Sequence, residues 1–140
     1  MTESKADGAP PTLRPRPLSP HLGVWRWHVT MAASILHRAS GVSLYVGALI
    51  LAGWAAAMAE GPRAYQAYTE ALASIPGRVV LFGLTVSVFY HMASGLRYLA
   101  MDFGQGFEPR RADFLAVASI AFAIVAAVAV WAIAFMTGSL

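Results

Sequence analysis

Two groups of polar residues interrupt long apolar stretches and carry most of the chemistry available inside those stretches. The first group is Ser34, His37 and Arg38, within the sequence SILHRASG, and the second is His91 and Arg97, within HMASGLRYLAMD. A neutral imidazole nitrogen can bind a metal, a guanidinium can bind carboxylates, and a serine hydroxyl can donate to a carbonyl oxygen. Ionisable groups are costly inside a membrane span, so residues of these types there indicate a functional site.

The composition indicates whether these groups lie in a soluble protein or in a membrane protein. The chain has 140 residues, of which 58% are hydrophobic and 12% are charged. Soluble domains have about 25% charged residues, so this chain lacks the polar surface that water requires. Cysteine is absent, which excludes disulfides and thiolate metal sites. The net charge of +3 forms no basic patch, so nucleic acid is not an expected partner.

Three apolar runs are each long enough to cross a bilayer as a helix. They cover about residues 29–59, 79–101 and 114–137, and a helical span needs about 20 apolar residues. None of the runs contains an internal proline. The sequence therefore predicts an all-α integral membrane protein with three transmembrane helices.

Prolines and polar residues mark the segments outside the spans. Pro62, Pro76 and Pro109 lie in the two connections and predict breaks between helices. Residues 1–28 form a polar, proline-rich tail without the short apolar core and cleavage site of a signal peptide. We expect a tail over residues 1–28 and one membrane domain over residues 29–140.

Basic residues predict the orientation of the chain. Those that precede the first span or lie in the second connection are Lys5, Arg14, Arg16, Arg26, Arg110 and Arg111. The first connection has Arg63 and Arg78, offset by Glu60 and Glu70. The positive-inside rule then places the N-terminus on the cytoplasmic or matrix side and the C-terminus on the outer side.

The helix rise gives each ionisable group a depth. Measured from the inner edge, Arg38 lies about 10 Å deep, Arg97 about 7 Å and His91 about 16 Å, at about 1.5 Å per residue. The site is therefore expected in the middle and inner half of the membrane. His37 and His91 differ in depth on this estimate, so we expect them not to bind one iron from its two sides. A second axial ligand would come from another subunit.

Helical periodicity places the polar residues on two stripes, at about 100° per residue. One stripe consists of Ser34, His37, Arg38, Gly41 and Tyr45. The other consists of His91, Ser94, Gly95, Tyr98 and Asp102, with Arg97 on its flank. The glycines would allow a helix or a flat macrocycle to approach closely.

Each polar residue also has a simpler explanation. Ser34 can bond to its own helix backbone, Arg38 can extend to lipid headgroups, and His91 can join two helices by a hydrogen bond. Alternatively, His91 is an axial haem ligand, which its depth and the glycine one turn away favour. His37, Arg38 and Arg97 would then lie at a suitable depth for the haem propionates.

Three motifs together resemble the cytochrome b subunit of succinate dehydrogenase, a membrane anchor of respiratory complex II. They are RPLSPHLGVW from Arg16, SILHRASG from Ser34 and HMASGLRYLAMD from His91, in the family's order. The resemblance covers the chain from about residue 16 to the C-terminus. It implies a bacterial inner membrane location, or the mitochondrial inner membrane in a eukaryote.

The resemblance also implies partners and residue roles. A flavoprotein subunit, an iron–sulfur subunit and a second, smaller anchor subunit would complete the enzyme, and this chain would hold no catalytic residue of its own. Ser34 and Arg38 would help bind ubiquinone. His91 would bind the iron of a haem b shared with the second anchor, near His37 and Arg38. Some family members have histidine where this chain has Tyr98, so a role for Tyr98 does not carry over.

Two alternative functions remain at this point. One is the anchor of a quinol:fumarate reductase, which runs the same chemistry in the opposite direction. The other is a structural anchor without haem, in which the histidines only join helices.

Overall fold

The computed structural model describes residue 24 and residues 26–138, and these residues form four helices. Helix α1 covers Val29–Glu60, α2 covers Pro62–Ala73, α3 covers Ile75–Asp102 and α4 covers Pro109–Met136. The predicted tail lies almost wholly outside the described residues, and so does the motif RPLSPHLGVW except at Val24. Within the described residues, the candidate site lies on the helices.

Helices α1, α3 and α4 are long and apolar enough to cross a membrane. They contain 32, 28 and 28 residues, which confirms the prediction of an all-α protein with three spans. Both later spans start before their apolar runs, at Ile75 and Pro109. The side of the membrane on which each end lies stays a prediction.

The three connection prolines begin helices as well as separating them. Pro62 and Pro109 are the first residues of α2 and α4, and Pro76 is the second residue of α3. Proline suits these positions because the first turn of a helix leaves its backbone N–H groups without internal partners. The first connection, predicted only as a break, therefore contains the 12-residue helix α2.

A side chain of helix α2 forms a hydrogen bond with the C-terminal half of α1. The hydroxyl of Tyr68 donates to the backbone carbonyl of Ile50 at 2.8 Å. Gly53 makes this approach possible, because a Cβ at that position would lie 2.8 Å from the Tyr68 hydroxyl oxygen. Such contact across a small residue is typical of helices packed in membranes.

Small residues also bring the three spans together. Ala33, Ser40 and Gly47 recur at intervals of seven along α1, and Ala33 and Ser40 are buried. On α4 the buried residues are Ala116, Ser119, Ala123 and Ala127. Lipid is as apolar as these side chains, so close backbone packing, more than hydrophobicity, holds the helices together.

Two hydrogen bonds between helices fix how the spans are aligned. The buried hydroxyl of Tyr90 on α3 donates to the backbone carbonyl of Ala33 on α1 at 2.7 Å. The indole N–H of Trp131 on α4 donates to the hydroxyl of Thr85 on α3 at 3.1 Å. The Tyr90 bond lies one residue from His91 in sequence and positions that histidine against α1.

Candidate functional site

The site is centred on two histidines from different helices. The imidazole rings of His37 on α1 and His91 on α3 stack with centroids 4.1 Å apart and an angle of 14° between their planes. The ring of Tyr98 packs against that of His37 at an angle of 61°, with ring centroids 5.1 Å apart. The predicted polar stripes of α1 and α3 therefore meet at these rings.

The difference in depth predicted for His37 and His91 stays a prediction, because the contact between their rings does not fix where either helix lies in the membrane. The conclusion drawn from it does not depend on depth. Two axial ligands must point their nitrogens at each other across one iron, and the rings of His37 and His91 instead lie face to face.

Ser40 supplies the hydrogen bond that holds His91. Its hydroxyl oxygen lies 3.1 Å from Nδ1 of His91 and 2.7 Å from the backbone carbonyl oxygen of His37, to which it donates. Within the described residues, Nε2 of His91 has no hydrogen-bond partner. Sequence reasoning missed Ser40, although it lies in SILHRASG, because Ser40 falls off the stripe that contains His37 and Gly41.

Two glycines shape the surroundings of His91 in different ways. A Cβ at Gly41 would lie 3.3 Å from Cε1 of His91, so the backbone of α1 packs directly against the imidazole. A Cβ at Gly95, one turn after His91, would have no atom within 4 Å. The α3 surface next to His91 is therefore open on the Gly95 side and closed on the Gly41 side.

Arg97 is directed into the bundle. It is 6% exposed, and its guanidinium lies over the ring of Tyr98 with 4.5 Å between Cζ and the ring centroid. Nε and Nη2 are buried without a hydrogen-bond partner among the described residues, and Nη1 lies 4.0 Å from the sulfur of Met101. Because Arg97 and Gly95 are two residues apart, they point about 200° away from each other around α3.

Ser34 and Arg38 lie on the neighbouring surface of α1. Ser34 is half-buried and Arg38 is exposed, and neither has a hydrogen bond or ion pair within the described part of the chain. In contrast, Ser43, which lies on the opposite face of α1 from Ser34, donates its hydroxyl hydrogen to the backbone carbonyl of Ala39 at 3.0 Å. The bond of Ser34 to its own backbone, one of the simpler explanations, is not seen.

These features define a class of protein. Three helices long and apolar enough to cross a membrane carry stacked histidines, a buried arginine and an adjacent serine–arginine pair, so the chain is a multi-pass membrane protein whose apolar helices carry a polar cluster. No group of three or more histidine, aspartate or glutamate side chains that suits a bare metal ion occurs among residues 26–138.

Comparison with known proteins identifies the family. Residues 12–130 match the model of the succinate dehydrogenase/fumarate reductase transmembrane subunit. The chain is 35% identical over 113 residues to the succinate dehydrogenase cytochrome b556 subunit of Paracoccus denitrificans, which covers 81% of this chain and 87% of that protein. This chain belongs to the succinate dehydrogenase/fumarate reductase transmembrane subunit family.

More distant relatives come from bacteria and mitochondria. The cytochrome b556 subunit of Rickettsia felis is 28% identical over 116 residues, covering 83% of this chain and 90% of that protein. The mitochondrial cytochrome b560 subunit of Mus musculus is 33% identical over 112 residues, covering 78% of this chain and 66% of that protein. The relatives of this chain are thus cytochrome b subunits of succinate dehydrogenase.

Proposed function

We propose that this chain is a membrane-anchoring cytochrome b subunit of a succinate:quinone oxidoreductase. In this role it helps to bind haem b and ubiquinone and to pass electrons from succinate oxidation to quinone. The observation that carries the proposal is the arrangement of His91, whose Nδ1 faces Ser40 while Nε2 has no partner within the described chain. Family membership supports the same role.

The residues around His91 fit a haem. A neutral imidazole binds haem iron through one nitrogen and donates a hydrogen bond from the other, as the contact with Ser40 permits. Gly95 leaves open space beside His91 for a flat macrocycle. When bound, haem b supplies a one-electron carrier in the membrane. A further haem ligand would come from the smaller anchor subunit, because His37 stacks face to face on His91 and does not point a nitrogen toward the same iron.

The basic residues near His91 suit the haem propionates. Arg38 presents an exposed guanidinium from α1, and His37 has a buried Nδ1 without a partner in the described chain. Arg97 points into the bundle, about 200° around α3 from Gly95, so it would meet a propionate only where that group extends from the open surface into the bundle. Two of its guanidinium nitrogens have no partner there among the described residues. A buried, unpaired charge costs several kcal/mol, so a carboxylate brought within reach of Arg97 would be favourable.

Ser34 and Arg38 form the quinone-binding surface in this proposal. They are one helical turn apart, so both side chains can reach one headgroup. The hydroxyl of Ser34 donates to a quinone carbonyl oxygen, and the guanidinium of Arg38 stabilises the negative charge that develops there during reduction. Reduction of a quinone by two electrons also consumes two protons. The position in the inner half of the membrane keeps the site near water that supplies them.

The proposal includes the partners and the orientation. A flavoprotein subunit and an iron–sulfur subunit dock on the cytoplasmic or matrix side, where the N-terminus and the connection between α3 and α4 lie. The smaller anchor subunit packs against the surface that carries Ser34, Arg38 and Gly95. The family also contains anchors of fumarate reductases, and the ratio of succinate-oxidising to fumarate-reducing rates of the purified complex distinguishes the two directions.

The haem assignment is tested on the purified four-subunit complex by a reduced-minus-oxidised spectrum. The wild type is expected to show a low-spin haem b, and His91→Ala is expected to lose it or retain much less haem per flavin. His28→Ala is the control, because His28 is an exposed residue that precedes α1. An unchanged spectrum in His91→Ala would show that His91 is not the ligand, and a haem-free wild type would favour a purely structural anchor.

A further inference from the structure

Ser40 has a hydroxyl whose two neighbours are both polar atoms of the candidate site. It is 6% exposed and lies in the first half of α1, one helical turn after His37. Its single hydrogen is donated to the backbone carbonyl of His37 at 2.7 Å. The contact of 3.1 Å with Nδ1 of His91 must then use a lone pair of the serine oxygen.

This use of the serine hydrogen determines the protonation of His91. Because the oxygen of Ser40 acts as an acceptor toward His91, Nδ1 carries the proton and donates it. A neutral imidazole has one protonated nitrogen, so Nε2 keeps its lone pair. The backbone carbonyl of His37 thus fixes, through Ser40, which nitrogen of His91 is able to bind a metal.

The same region of α1 also fixes the direction of the ring. Gly41 lies against Cε1 of His91, and the ring of His37 covers one of its faces at 4.1 Å. Rotation of His91 about its side-chain bonds would break the Ser40 contact and push the ring into α1. His37, Ser40 and Gly41 of the SILHRASG motif on α1 therefore all restrict the orientation of the His91 imidazole on α3.

We propose that Ser40 is a positioning residue that holds His91 in the tautomer and orientation in which Nε2 binds haem iron. This inference rests on the proposed function, because it assumes that His91 is the haem ligand. When the nitrogen that does not bind the metal donates a hydrogen bond, the imidazole becomes a stronger electron donor to the metal. Ser40 therefore favours ferric over ferrous haem and lowers the haem midpoint potential.

The test compares Ser40→Ala, Ser40→Thr and Ser43→Ala in the intact complex. Ser40→Ala removes the acceptor for Nδ1, whereas Ser40→Thr keeps a hydroxyl at the same position. Ser43→Ala is the matched control, because Ser43 is a membrane serine of α1 whose hydroxyl bonds to its own helix at Ala39. The measurements are haem per flavin, the haem midpoint potential and the electron paramagnetic resonance g-values of the low-spin ferric haem.

Ser40→Ala is expected to weaken haem binding about 10–100-fold, as loss of a partner of a metal-bound histidine does. A change of about tenfold in the preference for ferric haem would raise the one-electron potential by about 59 mV. Ser40→Thr and Ser43→Ala are expected to stay near the wild-type potential and g-values. A purely structural role for Ser40 would lower the amount of assembled complex without moving the potential of the haem that remains.

The outcomes separate this inference from the proposed function. If His91→Ala keeps the wild-type haem spectrum, the ligand assignment itself is wrong. If His91→Ala loses the haem while Ser40→Ala retains the wild-type haem content, potential and g-values, His91 is the ligand and the role of Ser40 is wrong. A Ser40→Thr complex that fails to assemble leaves the comparison of Ser40→Ala with Ser43→Ala to decide.

Discussion

His37 and His91 lie on different spanning helices and stack face to face, with ring centroids 4.1 Å apart and nearly parallel planes. This contact joins two motifs that lie far apart in the sequence. The two imidazoles are packed face to face, so they do not point their nitrogens at one metal ion from opposite sides. We therefore propose that His37 supports the ring of His91, and this proposal is testable.

His37→Phe is expected to keep the haem. Phenylalanine retains a flat ring that can stack on His91, and the bond between Ser40 and His91 does not involve the His37 side chain. The low-spin spectrum should persist, with a smaller loss of haem per flavin from the missing propionate contact, whereas His91→Phe should lose the spectrum. Conversion of the His37→Phe complex to a five-coordinate, high-spin haem would mean that His37 supplies the second axial ligand.

Gly41→Ala is expected to disturb His91 without removing any polar group. The new Cβ would lie 3.3 Å from Cε1 of the imidazole, which Ser40 and His37 prevent from moving freely. Inserting a methyl group into a packed site costs about 1–3 kcal/mol. Haem per flavin should fall and the g-values should shift. Gly83→Ala on α3 is the control, because a Cβ there meets no atom within 4 Å. Equal effects in both variants would contradict the explanation that the Gly41 methyl group displaces His91.

The sequence predicts the spans well because their evidence is local. A run of apolar residues must form a helix inside a bilayer, where every backbone polar group needs an internal partner. The helix α2 was missed because Pro62 and Pro76 were interpreted only as breaks, although proline is equally favourable in the first turn of a helix. A proline that ends one helix can therefore also begin the next.

The sequence indicates which residues are candidates for the site, but it does not indicate their contacts. His37, His91 and Arg97 were identified by the cost of placing such residues in a membrane, which is a property of each residue alone. The stack of His37 on His91 and the contact of Ser40 with His91 depend on how α1 packs against α3. That packing includes the Tyr90–Ala33 bond, which the sequence of neither helix alone specifies.

The predicted orientation is testable because the chain contains no cysteine. A single cysteine at Gln66, exposed on α2, is expected to react with a membrane-impermeant maleimide from the outer side of intact cells or vesicles. A single cysteine at Gln105, between α3 and α4, should react only after the membrane is opened. The reverse pattern would invert the topology and place Ser34 and Arg38 in the outer half.

Tyr68→Phe is expected to loosen α2 from α1. It removes the hydrogen bond to the Ile50 carbonyl, which is worth about 0.6–1.5 kcal/mol in a membrane protein. Gly53→Ala should be more harmful in the wild type than in Tyr68→Phe, because the added Cβ would collide with the tyrosine oxygen. The measurement is the temperature at which the solubilised complex dissociates. Additive effects of the two changes would show that the contact is not formed.

Ser34→Ala and Arg38→Leu separate quinone chemistry from the steps before it. Ser34 has no hydrogen bond within the described chain, so its loss should leave the fold intact. Losing one hydrogen bond to a charged group costs about 1.5–3 kcal/mol, or roughly 10–100-fold in the rate of a limiting step. Ubiquinone reduction should fall, more severely in Arg38→Leu, while succinate oxidation with a dye that accepts electrons from the soluble subunits should stay near normal.

Ser87→Ala is the control, because the hydroxyl of Ser87 bonds to its own helix at Gly83. Normal quinone reduction and inhibitor sensitivity in both Ser34→Ala and Arg38→Leu, with the complex assembled, would place the quinone site elsewhere.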